Sequence, residues 1–274
     1  MKRAISWIFL LAVTALPILW QDPYVLHTLI ITGIFIIAAM SLNLLLGYTG
    51  QLSLGHIAFF GIGAYTSALT ALGFDIGLVG DLRIVHQPWP AIYGFFFAAF
   101  VSGLCGYLLG KLSFRVRGAY FVIVSISFAE VVRLVALNWI ELTQGPLALN
   151  NIPPFTLGLP GIGYTTLWSK IGNYYLVLAV GVLSYIIIKR LVGSRIGRAM
   201  IALQENESLA VSVGIDVTRY LVLAAVASAA MAGAAGSLYA HLNAYLSAES
   251  FTFEQSGIYL IMVMLGGVSS TVGA

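Results

Sequence analysis

Charge is scarce in this sequence. Of 274 residues only 8% are Asp, Glu, Lys or Arg, against about 25% in an ordinary soluble domain. Hydrophobic residues make up 60%, and the mean hydropathy is +0.97. A chain so composed has too little polar surface to face water. Cysteine is almost missing as well: Cys105 stands alone in an apolar run, which excludes an intramolecular disulfide. The nucleotide-binding pattern G-x-x-x-x-G-K-[ST] does not occur, and neither do HExxH, paired CxxC or GxSxG. The sequence itself therefore offers no P-loop for ATP, no metal site and no visible catalytic centre, and no nucleic-acid partner is expected.

Long apolar runs fill the space those absences leave. In lipid the backbone must satisfy its own hydrogen bonds, and runs of about 20 apolar residues do so as helices. The expected class is all-α, a polytopic transmembrane bundle of about eight spans forming a single domain over residues 1–274. Ala4–Trp20 reads as an uncleaved first span, too long for a signal peptide and without a small-residue cleavage site at its end. Tyr24–Leu72 holds two spans. Further spans follow at about 89–112, 118–137, 174–188, 220–247 and 257–274. The stretch 74–90 reads as a polar loop. Residues 138–173 read as a long extracytoplasmic connection, with Trp139 and Trp168 near its ends as interfacial anchors. Ser228, Ala232 and Gly236 recur every four residues and predict a tight helix contact; Gly61, Gly63 and Ala64 predict another.

The basic residues test this arrangement. With the N-terminus in the cytoplasm, Lys2, Arg3, Lys111, Arg115, Arg117, Lys189, Arg190, Arg195, Arg198 and Arg219 fall inside, and only Arg83 and Lys170 fall in outer loops. That is the asymmetry cytoplasmic loops carry, and the opposite orientation inverts it.

Two features interrupt the apolar pattern. Gly47-Tyr-Thr-Gly-Gln-Leu-Ser-Leu-Gly-His56 puts three glycines and several polar residues inside the Tyr24–Leu72 run. The chain must turn at the cytoplasmic face here or break within the membrane, where irregular backbone is tolerated only against protein or an aqueous cavity. Asn43, Gln51, Ser53 and His56 are thus candidates for a substrate path. Glu130 is a fifth, three residues from Arg133 on one helix face near mid-span. For Glu130 and Arg133 a structural ion pair that locks helices together is the favoured reading. His56 has no neighbouring His or Cys, so no metal is expected there.

The second feature is the polar bridge Lys189–Arg219. Asn206 suits an N-cap, Glu207 the positive end of a helix dipole and Gly214 a left-handed stop. Residues 207–213 then form about two turns, roughly 10 Å, too short to be stable in water without a surface. The bridge is an ordinary loop or a coupling helix that fits a separate partner.

Three segments together carry a family resemblance. Asn43–His56 continuing through Phe59–Tyr65, Arg115–Val124 with Phe128–Glu130, and Ser194–Ala199 with Gln204–Glu207, Ala210 and Gly214–Ile215 resemble the permease subunits of branched-chain amino-acid ABC importers. The resemblance runs from about residue 25 onward. It implies an inner-membrane permease core paired with a second permease subunit, two cytoplasmic ATPase subunits that hold ATP and magnesium, and an extracytoplasmic binding protein. It also implies that 189–219 is the coupling loop, with Arg198, Glu205, Asn206, Glu207 and Gly214 at the ATPase contact. The outer segment 143–150 keeps less glycine than the family pattern, and Ser269 stands where that pattern has Gly. The family pattern continues past residue 274, so the resemblance also implies a chain that stops short of the family's end. The urea and short-amide permeases share much of the same pattern. An ATP-independent secondary transporter is the alternative from another class; it predicts inverted repeats, none of which is evident in the sequence. A membrane scaffold without transport is a third.

Overall fold

The computed structural model describes residues 13–17, 22–77, 83–114, 119–159 and 163–268. Nine principal helices are described: α1 Pro23–Thr49, α2 Ile57–Leu72, α3 Ala91–Ser113, α4 Ala119–Asn138, α5 Lys170–Gly193, α6 Arg195–Glu205, α7 Glu207–Ser212, α8 Val217–Asn243 and α9 Phe253–Gly266. The protein is a helical membrane protein, and five of these helices (α1, α3, α4, α5 and α8) are long and apolar enough to span a bilayer. α2 and α9 are not. Their 16 and 14 residues reach about 24 and 21 Å, short of a hydrocarbon core of about 30 Å. The first expected span, 4–20, lies outside the described residues except for 13–17. That stretch is helical and meets α5, where the Tyr174 and Tyr175 hydroxyls donate to the carbonyls of Val13 and Thr14 at 2.7 and 3.1 Å.

Burial sorts the long helices into two rings. In α8 78% of the most apolar window is buried and in α1 61%, against 28% in α3, 22% in α4 and 17% in α5. α1 and α8 are therefore the axis of the bundle, and the other three present Phe96, Phe100, Ile123, Val131 and Leu183 outward. Small residues make the central packing possible, as the four-residue spacing on α8 predicts. A Cβ at Gly236 would run into the backbone of Phe60 on α2, and one at Gly63 into the backbone of Gly233. Ser228 reaches α1 and donates to the Ser41 carbonyl at 2.6 Å. Gly61 meets the Phe251 ring rather than a helix.

One end of the bundle collects α6, α7, the C-terminus of α1 and the N-terminus of α8. Leu45, Phe114, Phe121, Met200, Leu203, Ala210, Val217 and Leu221 form a core of their own there. Lys111, Lys189, Arg190, Arg195, Arg198 and Arg219 belong to this end; Arg115 and Arg117 lie outside the described residues. The other end holds short β-structure where the sequence reads as loop. β1 Phe74–Gly77 pairs antiparallel with β2 Arg83–His86, and β4 Thr156–Leu159 with β5 Gly163–Thr166. β3 Leu149–Asn150 pairs with β6 Tyr245–Leu246, tying the long outer connection to the end of α8. Lys170 Nζ donates to the Pro23 carbonyl at 2.9 Å, so α1 and α5 also begin at this end.

A repeated order now becomes visible. α1 has 27 residues, is followed by the irregular segment 50–56, and leads into short α2. α8 also has 27 residues, is followed by the irregular segment 244–252, and leads into short α9. α1 ends where α8 begins, so the two units enter their breaks from opposite ends.

Candidate functional site

The first break is built by residues that cannot continue a helix. Gly50 closes α1 in the left-handed region, φ 70°, and returns its N–H to the Leu46 carbonyl. The chain then turns back into the protein rather than out to solvent. His56 Nε2 lies 2.7 Å from Ser41 Oγ on α1. Ser41 is eight residues before the end of that helix, so His56 sits about 12 Å inside it. α2 starts at this depth, which is why it is short. The break is held from the other side by α4: Leu54 N–H donates to Ser125 Oγ at 3.2 Å, and a Cβ at Gly55 would collide with the Ser125 carbonyl.

The polar groups of the break are sealed in. Ser53 is 1% exposed and His56 is fully buried. Ser41 Oγ also lies 2.6 Å from the Ala38 carbonyl. The arrangement that satisfies both contacts has Ser41 donating to Ala38 and accepting from His56 Nε2–H. That leaves His56 Nδ1 an acceptor, and neither it nor Ser53 Oγ finds a partner among the described residues.

The five candidates for a substrate path do not converge. Gln51 is half-buried at the mouth of the break. Asn43 is buried on α1, but two residues from Ser41 and hence about 200° around the helix from it. Glu130 is on α4, its side chain 46% exposed, with Arg133 donating to both carboxylate oxygens at 3.0 and 2.5 Å. Both charges belong to one helix, so the pair alone joins no two helices. Arg133 also lies within electrostatic reach of Glu249 in the second break.

Aromatic residues, not singled out by the sequence, meet beside these breaks. The rings of Phe35, Phe60, Tyr239, Phe251 and Tyr259 surround a cavity of about 110 Å³, with Ser250 and Gln255 among its polar lining. Tyr259 lies edge-on to Phe35, ring centres 5.8 Å apart, and Phe60 edge-on to Tyr239 at 5.4 Å. The two short helices touch at this place: Ile57 N–H, first in α2, donates to Ser256 Oγ in the first turn of α9 at 3.2 Å. In the sequence Phe35, Phe60, Tyr239 and Tyr259 sit in ordinary apolar runs, and Phe251 in the polar stretch 248–256.

At the basic end stands the platform formed by α6 and α7. α6 lays Ala199, Met200 and Leu203 on the bundle and turns Arg198 outward. Its neighbour along the chain is capped as its residues predict: Asn206 Oδ1 accepts from Leu209 N–H at 3.0 Å, and Gly214 stops α7 at φ 86°. The helix runs from Glu207 to Ser212, one residue short of the expected end, and rests on the core through Ala210. Glu205 and Asn206 are exposed and Glu207 is half-buried. Leu209 and Val213 are apolar yet 64% and 72% exposed. Gln204 on α6 lies against Gly50, with 3.5 Å available to a Cβ there, so the platform abuts the first break. Asp216 caps α8 directly after it, accepting from Arg219 N–H at 3.1 Å.

A multi-pass helical bundle with interrupted helices at its centre and an exposed short helix at its basic end is the architecture of a membrane transport component. A family model described as the permease component of branched-chain amino acid transport systems matches residues 24–274, and the chain belongs to that family. It is 35% identical over 286 residues to the high-affinity branched-chain amino acid transport system permease protein LivM of Salmonella typhimurium, covering 96% of this chain and 64% of that protein. The chain thus spans less than two thirds of the length of that relative, and the same holds for LivM of Escherichia coli K12, also 35% identical. LivH of Escherichia coli K12, another permease protein of such a system, is 27% identical over 88% of this chain and 77% of its own length. No solved structure is a significant match.

Proposed function

We propose that the chain is the membrane-spanning permease subunit of an importer that moves branched-chain amino acids with ATP hydrolysed by separate subunits. The observation that carries this reading is the α6–α7 platform. A capped six-residue helix exposes Leu209, Val211 and Val213 on the same small core that anchors α1 and α8. An apolar tip on a charged end is what a protein partner covers. A push there bears on Gly50 at the first break and on the start of α8, whose far end leads to the second. The substrate comes from the relatives' names, which are those of branched-chain amino acid permeases.

In this reading the basic end faces the cytoplasm and the β-hairpin end faces outward. Residues 189–219 are the coupling loop and 138–173 part of the outer surface that receives a binding protein. The N-terminus is cytoplasmic, and residues 4–20 complete eight membrane segments in a bacterial inner membrane. Two ATPase subunits bind ATP and magnesium; Arg198, Glu205, Asn206, Glu207 and Gly214 shape the surface they meet. A second permease subunit, of the kind named LivH, completes the pore. Closure of the ATPase pair shifts α7, tilts α1 and α8, and switches access to the central breaks from one side to the other.

Reconstitution tests it. Proteoliposomes holding this chain with the products of neighbouring genes are expected to accumulate leucine only with ATP on the platform side. Accumulation driven by an ion gradient without ATP identifies a secondary transporter, and urea uptake in place of leucine identifies the amide branch of the family.

A further inference from the structure

The three helices of the outer ring differ in where they carry charge. α3 and α5 keep theirs at their ends, at Lys111 and at Lys170, Lys189 and Arg190, and lipid suits everything between. α4 does not. Its 20 residues reach about 30 Å, and Glu130 lies roughly 17 Å from one end and 12 Å from the other, too far for its short side chain to leave the hydrocarbon. The Glu130 side chain is 46% exposed and that of Arg133 22%. They bond each other, yet an ionised group within a span faces protein or water rather than lipid. Exposure also picks out a seam. Phe121, Ser125, Ala129 and Ala136 turn into the bundle. On the other side Ile123, Ser127, Glu130 and Leu134 reach the surface at spacings of four, three and four. That is the repeat by which one helix packs along another at a shallow crossing. A polar position within such a seam fixes partner and register. Arg133 also feels Glu249, exposed in the second break, so two carboxylates share one guanidinium on this side. A second copy turned against it by a two-fold axis would set two such faces together and add repulsion.

We propose that the α4 seam is where the second permease subunit docks: one of its membrane helices lies along Ile123, Ser127, Glu130 and Leu134 and brings a basic or hydrogen-bond-donating side chain to Glu130. This rests on the transport reading above, which calls for a second permease subunit, and adds the surface that it covers. The partner is a chain of different sequence, since the seam does not complement itself. Ser127 is small enough to let that helix come close. The Glu130–Arg133 pair then does lock helices, but across two subunits. The outer faces of α3 and α5 are left to lipid. The seam also backs onto the first break: from the inner face of the same helix Ser125 holds Leu54 N–H and closes on Gly55. Movement between the two subunits therefore bears directly on that break.

The test uses the complete complex in lipid nanodiscs, with the photo-crosslinker p-benzoylphenylalanine placed at Leu134 or, as control, at Phe100 on α3, both exposed. Illumination is expected to join Leu134 to the second permease subunit, identified by mass spectrometry, and Phe100 to lipid. Adducts from Leu134 with lipid alone, with another copy of this chain, or with a further stretch of the same chain overturn the proposal. A second measurement decides where no adduct forms. Glu130→Lys is expected to lower recovery of the second permease subunit on the affinity-purified chain about tenfold, with the Tm of the isolated chain unchanged, while Phe100→Lys leaves recovery as it was. Full recovery in Glu130→Lys overturns the docking surface and leaves the transport reading standing. A wild-type complex that holds no second permease subunit and imports no leucine overturns the transport reading itself, and the docking surface with it.

Discussion

Gly236 and Gly63 decide how closely α8 can approach α2. At both positions a Cβ would strike backbone, which cannot swing away as a side chain can. Gly236→Leu is therefore expected to lower stability by roughly 1–3 kcal/mol through overpacking, read as a lower Tm of the detergent-solubilised chain. Gly193→Ala, where nothing lies within 4 Å, is expected to leave Tm unchanged. The four-residue rhythm of Ser228, Ala232 and Gly236 made this contact legible in the sequence, though not its partner. The polar residues of the first break were legible in the same limited way. Ser53 and His56 stand out because they are polar in apolar surroundings, but that Ser41 answers His56 depends on the chain folding back along α1. Phe35, Phe60, Tyr239 and Tyr259 were not legible at all, since an aromatic residue in an apolar run reads alike whether it meets lipid, core or a cavity.

Local chemistry specified the helix ends well. Asn206, Glu207 and Gly214 predict α7, and the observed cap and left-handed stop follow from them. Asn206→Ala removes the acceptor for Leu209 N–H and is expected to cost about 1 kcal/mol, seen as faster hydrogen exchange in 207–212 with no change in α8. Gly214→Val forces a β-branched residue to φ 86° and is expected to disturb the same segment. Interrupted helices were harder to read. Hydropathy averaged over a span does not separate a helix that crosses from one that starts midway, so in the sequence α2 and α9 read as full spans and the opposed α1–α2 and α8–α9 units do not show. The strand pairs 74–77 with 83–86 and 156–159 with 163–166 are not legible either, because each strand has four residues and lacks the long alternation by which strands are recognised.

For the whole molecule, charge and topology make one statement. The basic residues gather at the end where α6 and α7 emerge, and the strands at the end where α1 and α5 begin. A cysteine placed at Ser208 in a Cys105→Ser chain is expected to react with an impermeant maleimide only after the membrane is opened, and one placed at Leu147 in intact cells as well. In the proposed mechanism partner subunits drive the bundle through the α7 tip. The direct measurement is retention of the ATPase subunits on the affinity-purified chain, comparing Leu209→Asp with Leu147→Asp, two exposed leucines at opposite ends. Leu209→Asp is expected to release them and end ATP-driven leucine uptake, while Leu147→Asp retains them; full retention in Leu209→Asp with uptake intact would contradict that mechanism.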